Sequence, residues 1–271
     1  MDFDFFISEK QKNRKFTNCY LSNNDLKKRF SNNQFETIEK QPNAVFLLEK
    51  TRYGFHKLFF FSKDILKVDW HTFSDKKLVL NIILRRSKLS EWASIINTIQ
   101  LDGKFKTRSK FVRMAIPLQE KSFQKESHKM IKNPEPLDFD ALQKLLEQNF
   151  DIYAEFIPSL NDLLQFRETT YIIKENNKIA AFAICQNIGT TTELRFLLVL
   201  KAHRGKGYGD LLMNYSVAID KNISRFFLWV NIENKAAMNL YNGMGFKEDD
   251  ILNCVFVNNN NNNNIPINKT T

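Results

Sequence analysis

The chain has 271 residues, 43% hydrophobic and 26% charged, a globular composition that excludes a mainly disordered or collagen-like protein. The net charge of +10 is uneven: residues 1–132 carry 27 Lys/Arg and 14 Asp/Glu, a balance of +13, whereas residues 133–271 carry 13 and 16, a balance of −3. The longest uninterrupted apolar run, Ile179 to Cys185, has seven residues, whereas a membrane-spanning helix needs roughly twenty, so we expect no membrane segment.

The compartment and the metal content follow from a few residue types. The acidic start, Met1 to Asp4, lacks the basic-then-apolar order of a secretory signal. The three cysteines are isolated, which argues against a disulfide framework and predicts a cytoplasmic protein. No metal site is expected, because the histidines are scattered; they are His56, His71, His128 and His203.

The first half predicts an α+β domain. A helix over Asn24–Ile38 is followed by a hairpin of Val45–Leu48 and Phe55–Phe61. Leu78–Leu84 and Phe111–Ile116 are strand-like. Between them lies a helix that ends at Gly103, and its apolar face consists of Leu89, Trp92, Ile95, Ile96 and Ile99.

A domain boundary is predicted at residues 131–136, where Pro134 and Pro136 disfavour helix and the charge balance changes sign. We divide the chain into a basic domain 1–132, a second domain 133–257 and a low-complexity tail 258–271. The tail begins with seven consecutive asparagines, which cannot bury a core.

The second domain predicts two helices, three meandering strands, a glycine-rich loop, a helix, a strand, a short helix and a last strand. The first helix begins at Asp138 and the second at Ser159. The helix after the loop presents Leu211, Leu212, Tyr215 and Ile219. The strands are Tyr171–Lys174, Lys178–Gln186, Glu193–Leu200, Phe226–Ile232 and Ile251–Val257, and the short helix is Asn234–Asn242.

The glycine-rich loop predicts an anion site. Gly205, Gly207 and Gly209 lie between a strand and a helix, so backbone N–H groups can turn inward and approach a ligand. The helix N-terminus adds a partial positive charge, which suits a phosphate or pyrophosphate. The spacing fits neither a GxGxxG fingerprint nor a Walker A loop, and a plain strand-to-helix turn remains the alternative.

Two motifs together carry a resemblance to a family. Arg204-Gly205-Lys206-Gly207-Tyr208-Gly209 is similar to the [QR]xxGx[GA] loop of the GNAT superfamily of acyl-CoA N-acyltransferases. Thirty residues after Arg204, the stretch from Asn234 to Phe246 resembles the family's NxxAxxLYxxxGF signature. The resemblance covers about residues 137–257. It implies an α/β fold with a mixed, mostly antiparallel sheet flanked by helices.

The resemblance also implies roles for individual residues. The backbone amides of the loop would hold the pyrophosphate of coenzyme A, and Asn234 and the end of the third strand would lie against its pantetheine arm. Tyr241 would act as general acid toward the leaving thiolate and Glu193 as general base, with a buried aromatic and an ordinary strand carboxylate as the alternatives. The cofactor-binding residues expected on this basis are Leu197, Leu198, Val199, Arg204, Gly205, Lys206, Gly207, Tyr208, Gly209 and Asn234.

The first domain is either a degenerate copy of the same fold or an unrelated α+β domain. It lacks the glycine loop and the second motif, so we expect it not to bind coenzyme A. Arg85, Arg86 and Lys88 stand where we place its equivalent of the loop, and they form a candidate anion site.

The function expected from these residues is transfer of an acyl group, by default acetyl from acetyl-CoA, to a primary amine of an unidentified small-molecule or peptide acceptor. One alternative is a non-catalytic coenzyme A-binding module or sensor. A second is a nucleic-acid-associated protein directed by the basic half, although no nucleic-acid motif favours it. Neither the acceptor nor the oligomeric state can be read from the sequence.

Overall fold

The computed structural model describes residues 3–73, 76–118, 129–218 and 223–258. His128, Ile219 and the part of the predicted tail after Asn258 lie outside these residues. In chain order the elements are α1 Phe3–Lys12, β1 Phe16–Thr17, α2 Asn23–Ser31, β2 Phe35–Gln41, β3 Ala44–Lys50, β4 His56–Ser62, β5 Leu78–Arg85, α3 Leu89–Asp102, β6 Phe105–Pro117, β7 Ile131–Lys132, α4 Asp138–Asn149, α5 Leu160–Gln165, β8 Thr170–Glu175, β9 Lys178–Ile188, β10 Thr191–Val199, α6 Tyr208–Val217, β11 Arg225–Asn231, α7 Lys235–Gly243 and β12 Lys247–Asn258.

The chain forms two compact units whose limits cut across β6 and β12. The described part of the first unit is 3–110 with 250–258, and that of the second is 111–249. Each unit thus takes one strand from the other half of the sequence. The domain division at residue 132 is drawn along the sequence from composition, whereas these units are defined by contacts in space. The division at residue 132 therefore stays a prediction.

The first unit is built on the strand order β2-β3-β4-β5-β12. Strands β4 and β5 are parallel, and the other neighbours are antiparallel. Helix α3 packs Ile95 and Ile99 into a core that includes Trp70 and the buried side chains of β12, Cys254 and Phe256. The sheet is therefore completed by a strand that lies about 170 residues beyond β5 in sequence, as in the pair Leu84↔Leu252.

The second unit repeats this strand order. Its sheet runs β8-β9-β10-β11 and is completed by residues 111–117 of β6, with β10 and β11 parallel and the remaining pairs antiparallel. The short strand β7 pairs with the outer side of β8. Helices α4 and α5 cover one face with Phe139, Leu142 and Leu163. The predicted mixed, mostly antiparallel sheet flanked by helices is confirmed.

The topology corrects the placement of the candidate anion site in the first half. The segment equivalent to the glycine loop follows β4 and spans residues 63–77, which contain no glycine. Arg85, Arg86 and Lys88 instead precede α3, which corresponds to α7. A carboxylate of the same unit already lies there: Ser87 N and Oγ donate to Asp250 at 3.0 and 2.6 Å.

One element predicted in the first half and the start of the predicted tail differ from the structure. The predicted helix over Asn24–Ile38 ends at Ser31, because Asn33 adopts a left-handed φ of 51° and the chain then enters β2. The hairpin around Gly54 is present as β3 and β4. Asn258, which the sequence assigns to the tail, closes β12 with a buried side chain that accepts a hydrogen bond from Leu78 N at 2.6 Å.

Candidate active site

Strand β10 offers a free backbone edge in the second unit. Its parallel register with β11 runs from Thr191↔Arg225 to Leu194↔Leu228. A bulge follows at Arg195, and within the described residues the rest of β10 is paired on its β9 side alone. Peptide groups near Leu197 and Val199 are therefore open to a ligand on the β11 side. An amide-bearing chain can continue the ladder there as an extra strand.

The loop after β10 has the conformation that its glycines predict. Gly205 and Gly207 have φ values of 78° and 77°, in the left-handed region that only glycine enters freely. A Cβ built on either residue meets nothing within 4 Å, so open space lies beside the backbone. Gly207 is the N-cap of α6 without a side-chain cap. The first amides of α6 are thus left for a ligand.

Gly209 marks where the first turn of α6 meets α7 and β10. A Cβ built there lies 3.5 Å from Leu240 Cδ2 and 3.8 Å from Val199 Cγ2. The first turn of α6 therefore packs directly against α7 and the end of β10. This close approach joins the glycine loop to the helix that carries the second motif.

These elements enclose a cavity of about 580 Å³. Nine of the ten predicted cofactor-binding residues line it, and so does the predicted acid. The lining residues are Asn149, Phe150, Leu197, Leu198, Val199, Arg204, Gly205, Gly207, Tyr208, Gly209, Asp210, Asn234, Ala236, Ala237, Leu240 and Tyr241. The two motifs, 30 residues apart in sequence, thus lie on one cavity.

Lys206 is the predicted cofactor-binding residue that is not among the described residues lining this cavity. Its ammonium donates to both carboxylate oxygens of Glu175, at 2.7 and 2.9 Å. Its side chain is therefore engaged by the turn between β8 and β9, not by the cavity.

Asn234 has a structural task beside any contact with a ligand. It is the N-cap of α7, and its Oδ1 accepts a hydrogen bond from Ala237 N at 3.1 Å. The amide nitrogen of the side chain stays available to the cavity that Asn234 lines. Its presence in the motif follows in part from this cap.

Tyr241 lies on α7, 7% exposed, with its ring 6.0 Å from that of Phe246. Burial raises the pKa of its phenol above the ordinary value, and the charge of Glu155 adds to the effect. The hydroxyl therefore remains protonated through the neutral range. Tyr241 lines the cavity, so its hydroxyl is available as a donor to a group bound there.

Glu193 lies on β10 but is not among the described residues that line the cavity. Burial raises its pKa, against the opposing charges of Arg195 and Arg113. Its Oε1 is 4.0 Å from Arg195 Nε. The half-buried carboxyl is thus shifted toward neutrality, as a general base requires, but the structure does not bring it to the wall that carries Tyr241.

Glu155, in the loop after α4, is a second carboxyl that the sequence did not single out. Its Oε2 accepts a hydrogen bond from Asp151 N at 2.8 Å. Burial raises the pKa of Glu155 to about 7, and the neighbouring charge of Asp151 adds to the shift. Because its charge also acts on the phenol of Tyr241, the two groups lie within electrostatic range. No local motif marks this residue; only the folded loop brings it near α7.

The described residues lack three features: a metal-binding cluster, a disulfide and a membrane-spanning helix. They contain no cluster of three or more His, Cys, Asp or Glu side chains that could hold a metal ion. The three cysteines are unpaired and buried. No helix in this part of the chain has both the length and the apolar character to cross a membrane.

Comparisons with known proteins agree with this geometry. The profile of the family described as "Acetyltransferase (GNAT) family" matches residues 137–246. Over 127 residues, 45% of the chain, the sequence is 31% identical to the ribosomal protein bS18-alanine N-acetyltransferase of Haemophilus influenzae and covers 84% of that protein.

Two solved structures extend the likeness in fold to most of the chain. A GCN5-related N-acetyltransferase from Sphaerobacter thermophilus is 14% identical, with a TM-score of 0.57 over 88% of this chain and 85% of that one. A tandem GNAT protein from the clavulanic acid biosynthesis pathway is 8% identical, with a TM-score of 0.51 over 82% and 80%. With the sequence relative and the two motifs, they lead to one conclusion: the chain belongs to the GNAT family and is an acetyltransferase.

Proposed function

We propose that the protein transfers an acetyl group from acetyl-CoA to a primary amine. The observation that carries the proposal is the cavity of the second unit, which combines an anion-binding loop, a free strand edge and a hydroxyl donor. These three features match, in order, the pyrophosphate, the amides of pantetheine and the reacting thioester of acetyl-CoA.

The loop and the strand would fix the position of the substrate. Backbone N–H groups from Gly205 to Gly209, at the N-terminus of α6, would hold the pyrophosphate by hydrogen bonds and the helix dipole. Leu197 to Val199 would pair with the pantetheine amides along the edge that β11 leaves open. Positioning of this kind supplies much of the rate of a two-substrate reaction.

Acetyl-CoA supplies a thioester, whose carbonyl carbon an amine attacks and whose thiolate leaves. Tyr241 would donate a hydrogen bond to the departing sulfur. Since a free thiol has a pKa of about 8.5 and the phenol a raised one, complete proton transfer from Tyr241 is uphill. We therefore assign the hydroxyl to stabilising negative charge on sulfur through a hydrogen bond.

A base must remove a proton from the acceptor, because an ammonium has no lone pair. We propose Glu193 for this role, acting through water, since burial raises its pKa toward the working range. Glu155 is the rival, and its electrostatic coupling with Tyr241 favours it. The pH profiles of Glu193→Gln and Glu155→Gln distinguish the two, because only loss of the base removes the rising acid limb.

For the acceptor we propose the amine of a peptide or protein. The support is the 31% identical relative, whose name describes transfer to an alanine of a ribosomal protein. Small polyamines and sugar amines are the competing acceptors, and fold alone does not choose among them.

The experiment is to incubate the full-length protein with acetyl-CoA and a panel of amines and to follow release of free thiol. The panel contains peptides with a free N-terminus, the same peptides with a blocked N-terminus, polyamines and amino sugars. Turnover on free but not blocked peptides supports the proposal. Binding of acetyl-CoA without turnover on any amine would favour a non-catalytic coenzyme A-binding module.

A further inference from the structure

Glu175, the last residue of β8, binds side chains along the loop that precedes α6. Its Oε1 accepts hydrogen bonds from Lys206 Nζ at 2.7 Å and from the Tyr208 hydroxyl at 2.5 Å. His203 Nδ1 lies 3.2 Å from the same oxygen. One carboxylate thus ties Lys206 and Tyr208 to a single point by hydrogen bonds and lies beside His203 at the beginning of the segment 203–208.

That point lies at the turn of the β8–β9 hairpin. Glu175 pairs with Lys178 across a tight turn in which Asn176 and Asn177 have φ values of 50° and 60°. Two left-handed residues in succession define a two-residue hairpin turn, which asparagine favours. The loop is therefore anchored to a hairpin whose geometry its own turn residues determine.

Glu175 has two opposite effects on the binding of an anion in the cavity. The hydrogen bonds from Lys206 and Tyr208 lower the pKa of Glu175 to about 2, so this carboxylate is ionised throughout the neutral range. It neutralises Lys206 and adds a negative group near the loop, which by charge alone weakens anion binding. It also orders the loop before a ligand arrives, which strengthens binding.

We propose that Glu175 is a positioning residue for coenzyme A, holding the loop 203–208 so that its backbone amides face the cavity while the Lys206 side chain is held outside it. The proposal rests on the proposed function, since it takes the pyrophosphate of coenzyme A as the anion. In this proposal the gain in affinity from an ordered loop exceeds the loss in affinity from the negative charge of Glu175. Lys206 then acts as part of the clamp and not as a phosphate ligand.

The test compares Glu175→Ala and Glu175→Gln with a matched control, Glu135→Gln, which removes one exposed carboxylate elsewhere in the second unit. Calorimetry on the full chain measures the Kd of coenzyme A, and ligand-observed NMR measures binding of pantetheine, which lacks the pyrophosphate. We expect Glu175→Ala to raise the Kd of coenzyme A roughly tenfold, through loss of a preordered loop. Glu175→Gln is expected to have a smaller effect, because its amide oxygen still accepts hydrogen bonds, and the control is expected to have none.

The outcomes separate this proposal from the proposed function. Unchanged or tighter binding of coenzyme A by Glu175→Ala overturns the positioning role. Equal losses for coenzyme A and pantetheine also overturn it, because they indicate a general structural defect instead of an effect on the pyrophosphate site. Failure of the unaltered protein to bind coenzyme A at all overturns the proposed function, and this inference with it.

Discussion

Replacement of Gly207 by asparagine or aspartate tests whether the loop binds an anion. The two side chains have nearly the same shape, and both tolerate the left-handed φ of 77° better than other residues. An added Cβ meets nothing within 4 Å, so neither variant creates a clash. The two variants differ in one negative charge, placed at the N-terminus of a helix.

The size of the effect follows from the geometry of the loop. If its amides bind phosphate oxygens at about 2.9 Å, a carboxylate on residue 207 lies at about 5 Å from the nearest phosphate charge. Repulsion at that distance is about 1 kcal/mol at a dielectric constant of 80 and about 3 kcal/mol at 20. We expect Gly207→Asp to bind coenzyme A about 10- to 100-fold more weakly than Gly207→Asn.

The stability of the same pair should change in the opposite direction. A carboxylate at the N-terminus of α6 interacts favourably with the helix dipole, so the aspartate variant should unfold at an equal or higher temperature than the asparagine variant. Calorimetric titration at low and high salt gives the affinities, and the ratio between the variants should shrink as salt screens the repulsion. Equal affinities of the two variants at low salt would refute an anion site at this loop.

Three further predictions concern other parts of the second unit. Tyr241→Phe should lower kcat roughly a hundredfold with an unchanged Kd for acetyl-CoA, measured by steady-state kinetics and calorimetry. Glu155→Gln should leave the free energy of unfolding unchanged near pH 4.5 and raise it by about 1–3 kcal/mol at pH 8 in urea titrations, because a raised carboxyl pKa destabilises the fold only once the group ionises. A fragment 105–249 should unfold cooperatively, whereas a fragment 133–271 should not, because the second fragment lacks the strand that pairs with β11. Loss of the buried side chains Val112, Met114 and Ile116 costs about 1.5–3 kcal/mol each, and the sum is close to the stability of a whole domain.

The second unit was largely predictable from the sequence because its signals are local. Gly205 and Gly207 predict a loop with left-handed backbone conformations, and the adjacent Asn176 and Asn177 predict a hairpin turn. The alternation along β10, with Leu194 and Leu198 buried, identifies a strand with one apolar face. The two motifs then predicted the fold, and nine of the ten residues expected to bind the cofactor line one cavity.

Long-range pairing was not predictable in the same way. Nothing in the sequence of β6 or β12 shows that residues 111–117 lie beside β11 or that residues 251–257 lie beside β5, since an apolar strand fits any uncovered sheet edge. For the same reason the roles of Glu155 and Glu175 emerge only from the fold. Each is a single charged residue without a motif, and the groups that give it a role, Tyr241 for Glu155 and Lys206 and Tyr208 for Glu175, lie more than 30 residues away in sequence.

A structure of the full chain with coenzyme A bound tests the central claim most directly. The account predicts pyrophosphate oxygens within hydrogen-bond distance of backbone nitrogens between Gly205 and Gly209, pantetheine along the open edge of β10, and the sulfur facing the Tyr241 hydroxyl. Coenzyme A bound elsewhere, or bound in this cavity with its sulfur turned away from Tyr241, would contradict it.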